Sequence, residues 1–183
     1  MKKERLLRDA LFGFRLRRLF HGQIFTAHFY SPQIRKRYIT FGVFGGKDGD
    51  AKDNFTRHLS QKSMTMREYF GNSLGFEYYF RVPTSYKRRG IYSIDEPSMT
   101  IRGVDRPVPK GYKGHPADPV LLTPDIRSLT PQERSWIQTF PRDFIWEGSK
   151  TNLNQAIGNA VPVKLGEYIA NSIKEYISEH ETC

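Results

Sequence analysis

The sequence predicts a mixed α/β protein in which helices and strands at the two ends of the chain flank an irregular, β-rich middle. Three observations favour this class. Apolar residues recur at helical spacing over residues 4–19 and again after Pro162, and aromatic and β-branched residues fill two stretches before residue 45. Residues 46–146 are rich in glycine, proline and aromatic residues and contain only short strand-like pieces.

The N-terminal segment is expected to contain one helix and a pair of strands. The helix over residues 4–19 is predicted by one apolar stripe, which consists of Leu6, Leu7, Ala10, Leu11 and Phe14. Phe25–Tyr30 and Tyr38–Phe44 are the predicted strands, because both are rich in aromatic and β-branched residues. The polar, glycine-rich run GGKDGDAKDN that follows marks a domain boundary.

Two helices are predicted in the C-terminal part of the chain. Thr130 and Glu133 have the spacing of a capping box for a helix that begins at Pro131. A second helix follows Pro162, which suits a first helical turn. The apolar residues of this second helix recur at every fourth position: Leu165, Ile169, Ile173 and Ile177.

The charge of the chain is strongly basic and unevenly distributed. The formal net charge is +10. Residues 1–41 contain ten Lys/Arg against two acidic residues, whereas residues 147–183 contain three against five. A basic body of this kind suits a polyanionic partner, most often nucleic acid, and a solvated basic surface is the alternative.

Cysteine usage and hydropathy exclude several classes of protein. The single cysteine, Cys183, excludes an internal disulfide framework and a cysteine-rich zinc site, and it fits a reducing cytosol. No apolar stretch is long enough to span a membrane, and the basic N-terminus lacks the apolar core of a signal peptide. We therefore expect a cytoplasmic protein without a membrane partner.

The stretch PQIRKRYITFG places polar and basic residues at alternate positions. In an extended chain, Gln33, Arg35 and Arg37 would point to the same side and present one amide and two guanidinium groups. Guanidinium groups suit phosphate oxygens and the carbonyl edge of a base. The pattern predicts nucleic-acid contacts, with a solubilising strand edge as the alternative.

The stretch SIDEPSMTIRG predicts a turn followed by a short strand, Met99–Arg102. Proline- and glycine-rich loops flank this strand on both sides. Such a strand could enter a groove of a nucleic acid and contact the bases there, with Thr100 and Arg102 at its tip. An ordinary loop-rich β subdomain is the alternative interpretation.

Four stretches, taken in order, resemble the C-terminal half of the DNA cytosine-5 methyltransferases. PQIRKR resembles the eighth motif of that family, Gln-x-Arg-x-Arg, and DEPSMTI resembles the start of its target-recognition domain. RSLTPQERSWIQTFPRDF resembles the ninth motif, and QAIGNAVP resembles the tenth, Gly-Asn-x-Val-Pro. The resemblance covers residues 22–177. It implies the C-terminal part of a Rossmann-like, S-adenosylmethionine-dependent methyltransferase together with a small, irregular β-rich target-recognition domain.

The resemblance implies a domain organisation in three parts. Residues 1–45 would be a partial catalytic-domain segment that carries the eighth motif. Residues 46–146 would form the target-recognition domain and include the ninth motif. Residues 147–183 would carry the tenth motif and a helix that returns to the catalytic domain.

The resemblance also implies roles for individual residues. Gly158, Asn159 and Ala160 are expected to line the pocket of the cofactor S-adenosyl-L-methionine, in a turn whose small residues admit a ligand and whose following helix offers free amide donors. Arg37, supported by Arg35, is expected to hold the flipped target cytosine and its phosphate. The expected DNA contacts are Gln33, Arg35, Arg37, Thr100 and Arg102.

Much of the family's chemistry is absent from the sequence. The reaction needs a cysteine thiolate, following a proline, to attack C6 of cytosine, and the only cysteine here follows Thr182. The Glu-Asn-Val triplet and the Phe-x-Gly-x-Gly loop are also absent. We therefore expect a chain that is inactive alone, either one half of a split enzyme whose reading frame opens at Met1 or a fragment of a longer enzyme.

The expected partners are double-stranded DNA and a second methyltransferase chain that carries the nucleotide-binding loop and the catalytic cysteine. A prokaryotic restriction-modification system is the expected setting. Two alternatives stay open at this point. One is a catalytically inactive, DNA-binding remnant of such an enzyme, and the other is an RNA methyltransferase of the same family.

Overall fold

The computed structural model of the chain describes residues 16–25, 31–44, 46–60, 62–85 and 87–180. These residues belong to two compact units, each assembled from segments that are distant in sequence. The hairpin unit contains the segment that ends at Phe25, Lys36–Leu59 and the segment that begins at Glu167. The central unit contains the segment that ends at Arg35 and Ser60–Gly166.

The hairpin unit is a two-stranded antiparallel sheet with helical and turn segments. Strand β1 (Leu16–Phe25) pairs with strand β3 (Lys36–Phe44), with a shift of register between Arg18 and Phe20. Phe20 stacks on Phe55 with a ring-centroid distance of 4.4 Å. An isolated pair of strands is marginally stable in water, so this aromatic packing is needed to hold the hairpin.

The central unit contains two further strand pairs. Strand β2 (Gln33–Ile34) lies parallel to β6 (Ser98–Met99). Strand β4 (Tyr78–Phe80) pairs with β5 (Ile91–Ser93) in antiparallel register. Long turns and loops connect these short strands, as the glycine- and proline-rich composition predicts.

Four helices lie within the part of the chain that the structure describes. Helix α1 is Met66–Phe70, α2 is Pro131–Ile137, α3 is Lys150–Asn159 and α4 is Val163–His180. The capping box predicted for α2 is confirmed, because the Thr130 side chain accepts from the Glu133 amide while the Glu133 side chain accepts from the Thr130 amide. None of the described helices has the length and apolar character of a membrane span.

One apolar core organises the central unit. Its buried members come from α1, from β4 and β5, from nearby turns and loops, and from α2 and α3, and they include Met66, Tyr79, Ile94, Ile137 and Ile157. A second cluster contains Phe80, Ile91 and Ile126. The central unit therefore buries side chains from segments that span most of its sequence, as a folded domain requires.

The sequence predictions for the ends of the chain have mixed outcomes. The predicted strand Tyr38–Phe44 is confirmed within β3. The predicted helix over residues 4–19 is wrong at its C-terminal end, because residues 16–19 belong to β1, in which Leu16, Arg17 and Arg18 pair with β3. The remainder of that helix, and most of the predicted strand Phe25–Tyr30, lie outside the described residues. The helix predicted behind Pro162 is confirmed as α4.

Candidate functional site

A buried glutamine joins three segments of the central unit that the sequence analysis singled out. Gln33 in β2 has no solvent exposure. Its side-chain Nε2 donates to Oε1 of Gln138 over 3.1 Å, and its Oε1 accepts from the backbone amide of Ile101 over 2.7 Å. One amide therefore connects the eighth-motif stretch to the ninth-motif stretch and to the strand that precedes Arg102.

Arg35 extends the same buried network. Its side chain is almost fully buried, and its two terminal nitrogens donate to the carbonyl oxygens of Ile101 (2.9 Å) and Gly158 (3.0 Å). A guanidinium donates in a fixed fork, so it holds these two backbone segments at a defined separation. Arg35 thereby links the tip of the short strand to the end of α3.

These positions correct the prediction that Gln33, Arg35 and Arg37 form one exposed face. The alternation argument assumed a single extended strand. In the structure the strand is interrupted at Arg35, since Gln33 and Ile34 pair with β6 whereas the residues from Lys36 onward pair with β1. The side chains of Gln33 and Arg35 are consequently buried and form hydrogen bonds within the protein.

The residues after α2 close the network around the start of α4. Gln138 donates from Nε2 to the Ile157 carbonyl, and its own carbonyl accepts from the Val163 amide over 3.1 Å. The Thr139 side chain accepts from the Lys164 amide over 2.9 Å. The expected free amides at the start of this helix are thus occupied, which corrects that part of the cofactor-pocket prediction.

Thr139 adopts a backbone conformation that is unusual for its residue type. Its φ is 62°, which is the left-handed region. A β-branched residue is strained there, so the surrounding contacts must hold it. The same conformation places its hydroxyl where it caps α4 and donates to the Gln138 carbonyl over 2.7 Å.

The tenth-motif stretch ends a helix and does not form a free turn. Gly158 and Asn159 belong to the last turn of α3, and Ala160 is its C-cap. A Cβ atom at Gly158 would overlap the carbonyl group of Arg102 and the nitrogen of Gly103. The absence of a side chain at Gly158 is therefore explained by close packing against the chain itself.

Asn159 and Ala160 differ from Gly158 in their exposure. Asn159 is exposed and Ala160 is half-buried, whereas Gly158 is buried. An exposed carboxamide carries both a donor and an acceptor. Asn159 therefore has the chemistry to hold the polar end of a small ligand, and of the three predicted cofactor residues it is the one with an accessible side-chain amide.

Arg37 has a different environment from Arg35. It lies in β3, opposite Ile24, with a half-buried side chain whose Nη1 donates to the Lys36 carbonyl over 2.8 Å. Partial burial lowers the pKa of Arg37 from its ordinary value, and the group stays cationic at neutral pH because that value is very high. Arg37 is a partly accessible cation in the hairpin unit.

Thr100 and Arg102 follow β6, which ends at Met99, so the predicted strand Met99–Arg102 is shorter than expected. The Thr100 hydroxyl donates to the Ile34 carbonyl over 2.7 Å. Arg102 is half-buried, and its Nη2 donates to the Val82 carbonyl over 3.1 Å. Burial, followed by the charge of Arg81, lowers the pKa of Arg102.

Arg134 supports this strand end from α2. It is buried, it donates to the Arg102 carbonyl, and its Nη1 lies 3.3 Å from a carboxylate oxygen of Asp105. The sequence analysis assigned no role to either residue. The signal that was available is the arginine one helical turn after Thr130 in the ninth-motif stretch, but its partner cannot be identified without the fold.

Comparisons with known proteins identify the family. The sequence model of the family "C-5 cytosine-specific DNA methylase" matches residues 48–175. The type II methyltransferase M.HindV of Haemophilus influenzae is 49% identical over 149 residues, which cover 81% of this chain and 49% of that protein. The type II methyltransferase M.HgiDI of Herpetosiphon aurantiacus is 47% identical over 150 residues, which cover 81% and 48%. The chain spans about half the length of these relatives.

A solved structure shares the fold. The Dnmt2 methyltransferase of S. pombe has a TM-score of 0.56 and 16% sequence identity, over 97% of this chain and 63% of that chain. This likeness shows a Rossmann-like α/β fold, as the sequence predicted. On the family match and the two close relatives, the chain belongs to the C-5 cytosine-specific DNA methylase family.

Proposed function

We propose that the chain supplies target recognition and part of the cofactor pocket of a DNA cytosine-5 methyltransferase of a restriction-modification system. The proposal rests on two features of the chain: three motif stretches that meet in one place, and the position of the only cysteine. The eighth, ninth and tenth motif stretches meet in one buried network, while the only cysteine of the sequence is Cys183, which follows threonine. The proposal therefore assigns target recognition to this chain and the nucleophile to another polypeptide.

The proposed partner is a polypeptide that carries the catalytic cysteine and the nucleotide-binding loop. Its place would be beside the hairpin unit, where large apolar side chains are open to solvent. Tyr38, Phe44 and Ile177 are 66%, 71% and 42% exposed. These exposed side chains offer apolar surface to a partner, and a larger sheet would complete the two-stranded hairpin.

The roles of the basic residues follow from their exposure. Arg37, partly accessible, is proposed to hold the flipped target cytosine and its phosphate, and Arg102 with Thr100 is proposed to face DNA. For Gln33 and Arg35 we propose a positioning role, because their polar groups hold the segments around Ile101 and Gly158.

Asn159 and Ala160 are the residues proposed to contact S-adenosyl-L-methionine, with Gly158 shaping the backbone beside them. The exposed carboxamide of Asn159 fits the donor and acceptor groups at the amino-acid end of this cofactor. When bound, the cofactor would supply the methyl group for C5 of cytosine. The chain's own contribution is to orient the cofactor and the DNA relative to each other.

The test is reconstitution of activity from two polypeptides. The chain alone is expected to transfer no methyl group from S-adenosyl-L-methionine to duplex DNA. Addition of the N-terminal half of M.HindV, whose C-terminal half this chain resembles, is expected to restore transfer to C5 of cytosine. Turnover by the chain alone would overturn the proposal, and a failure to complement together with intact DNA binding would favour the inactive remnant. Methylation of RNA in place of DNA would favour the RNA enzyme.

A further inference from the structure

One carboxylate in the central unit binds two loops together. Oδ1 of Asp118 accepts from the backbone amides of Gly90 and Ile91, each over 2.9 Å. Its Oδ2 accepts from the Tyr112 hydroxyl over 2.7 Å and from the His115 amide over 2.8 Å. Burial alone would raise the pKa of Asp118, but these hydrogen bonds outweigh it and lower the pKa, so the group is a carboxylate at neutral pH.

The packing around Asp118 allows little freedom. The ring of Tyr112 contacts Phe80 edge-on at a centroid distance of 5.2 Å, and its hydroxyl also accepts from the Gly90 amide over 3.0 Å. A Cβ atom at Gly90 would lie 2.6 Å from the Tyr112 hydroxyl and 2.7 Å from the Phe80 ring. Residues 87–91 and 110–118 are therefore held against each other as one element.

Both loops carry exposed cations. Lys87 and Arg88 lie on the first loop, and Lys110 and Lys113 lie on the second; all four are exposed. Within the described part of the chain, none of the four forms an ion pair, whereas neighbouring Arg89 pairs with Glu96. Asp118 thus joins two loops whose four exposed cations are available to an external anion.

The first loop also lies close to Arg102, because the Arg81 amide donates to the Gly90 carbonyl over 2.8 Å and Arg102 donates to the carbonyl of the next residue, Val82. The charge of Arg88 contributes to the lowered pKa of Arg102, after burial and after the charge of Arg81. An unpaired cation that disfavours another cation costs free energy in the absence of a polyanion. A phosphate backbone would relieve this repulsion, because it supplies a row of negative charges at regular spacing.

We propose that residues 87–91 and 110–118 form a cationic edge, fixed by Asp118, that grips the phosphate backbone of duplex DNA beside Arg102. The inference rests on the proposed function, since it presumes that duplex DNA is the substrate. Asp118 is a positioning residue in this proposal. It aligns the two loops so that the four cations meet the backbone together.

The first experiment measures binding of the full chain to a short, fluorescently labelled DNA duplex of mixed sequence over a series of salt concentrations. The Lys87→Gln/Arg88→Gln and Lys110→Gln/Lys113→Gln variants are each expected to bind about tenfold more weakly at physiological salt and to reduce the salt slope by about 2. The matched control, Lys52→Gln/Lys174→Gln, removes the same charge from exposed positions of the hairpin unit. It is expected to keep most of the affinity and the slope.

The second experiment asks whether Asp118→Asn strengthens or weakens the binding of DNA. This change makes the chain more positive, so long-range electrostatics alone predicts tighter binding of DNA. The proposal predicts weaker binding by about threefold to tenfold, because the amide cannot accept from the His115 backbone and the loops separate. Asp143→Asn, an exposed change of the same charge, is the control and is expected to bind slightly more tightly.

Tyr112→Phe keeps the charge and removes the hydrogen bonds of the hydroxyl with Asp118 and the Gly90 amide, so it tests the alignment of the two loops without a change of charge if Asp118→Asn does not fold. Tighter or unchanged binding by both Asp118→Asn and Tyr112→Phe would overturn the cationic edge. Lysine and arginine variants that bind as tightly as the control would overturn it as well. In either case, DNA binding by the unaltered chain would still support the proposed function. An unaltered chain that binds no duplex DNA would overturn both. If duplex RNA binds more tightly than DNA and the lysine and arginine variants lose the same affinity for both, the edge is not a specific DNA-binding surface.

Discussion

The central unit and the hairpin unit differ in how they bury their apolar and polar side chains. The central unit has an apolar core and a set of buried polar groups, Gln33, Arg35, Arg134 and Gln138, which hydrogen-bond to one another or to backbone carbonyl oxygens of the same unit. The described part of the hairpin unit buries few large side chains, such as Phe20 and Phe55, and leaves Tyr38 and Phe44 open. The described residues of the two units therefore differ in how much apolar surface they leave exposed, and the exposed side chains of the hairpin unit are the surface proposed above for a partner polypeptide.

The largest expected effect separates two arginines that stand two positions apart. Arg35→Met should lower the free energy of unfolding by about 3 kcal/mol, because two buried carbonyl oxygens lose a charged donor. Arg37→Met should change it by no more than about 0.5 kcal/mol, because Arg37 is partly exposed and its contact is local. Urea unfolding of both variants measures the difference.

Arg37 should matter for activity although it contributes little to stability. In the reconstituted enzyme, Arg37→Met is expected to lower methylation at least about tenfold, the equivalent of a contact worth about 1.4 kcal/mol. Full activity in this variant would return Arg37 to an ordinary surface cation. A large loss of stability in the same variant would place it with Arg35 as a structural residue.

A second prediction concerns the contact between α3 and the strand end in the central unit. Gly158→Ala should destabilise the chain by about 2 kcal/mol, because the new methyl group would overlap the Arg102 carbonyl and the Gly103 nitrogen. Gly166→Ala is the matched control, since it lies in α4 with open space around its Cβ position. The control should be more stable by about 0.5–1 kcal/mol. Equal effects at both sites would show that Gly158 is not closely packed.

The sequence predicted the local features and missed those that depend on distant partners. The capping box at Thr130 was predictable because its two members are three residues apart. The burial of Gln33 was not, because its partner Gln138 is 105 residues away. Helix α3 was also missed, since Asn152, Asn154 and Gly158 are weak helix formers and the helix is held by burial of Ile157.

A third prediction uses the pH dependence of the capped helix α2. Burial would raise the pKa of Glu133, but hydrogen bonds from Arg127 and from the Thr130 amide outweigh it, so the pKa is lowered. The folded state therefore binds this proton less readily than the unfolded chain. The resulting stability is present above the unfolded pKa and is lost as pH falls through the folded pKa.

Glu133→Gln should remove this dependence, with a loss of about 1 kcal/mol at neutral pH. The measurement is the urea midpoint of both proteins from neutral pH down to acidic pH. The two curves should converge as the wild-type carboxylate becomes protonated. A constant gap at every pH would mean that Glu133 acts through shape and packing alone.

The smallest expected effect tests whether the end of α3 serves the cofactor as well as the fold. Asn159 is exposed, so Asn159→Ala removes no buried contact and should leave the urea midpoint nearly unchanged. In the reconstituted enzyme the same change should raise the apparent KM for S-adenosyl-L-methionine about threefold, the equivalent of one neutral hydrogen bond of about 0.7 kcal/mol. The affinity for DNA should not change, because the lost group is uncharged and lies outside the basic loops. Separate titrations of the cofactor and of DNA against the variant measure the two effects. A parallel weakening of both, together with a lower urea midpoint, would assign Asn159 to the end of the helix and exclude it from the cofactor pocket.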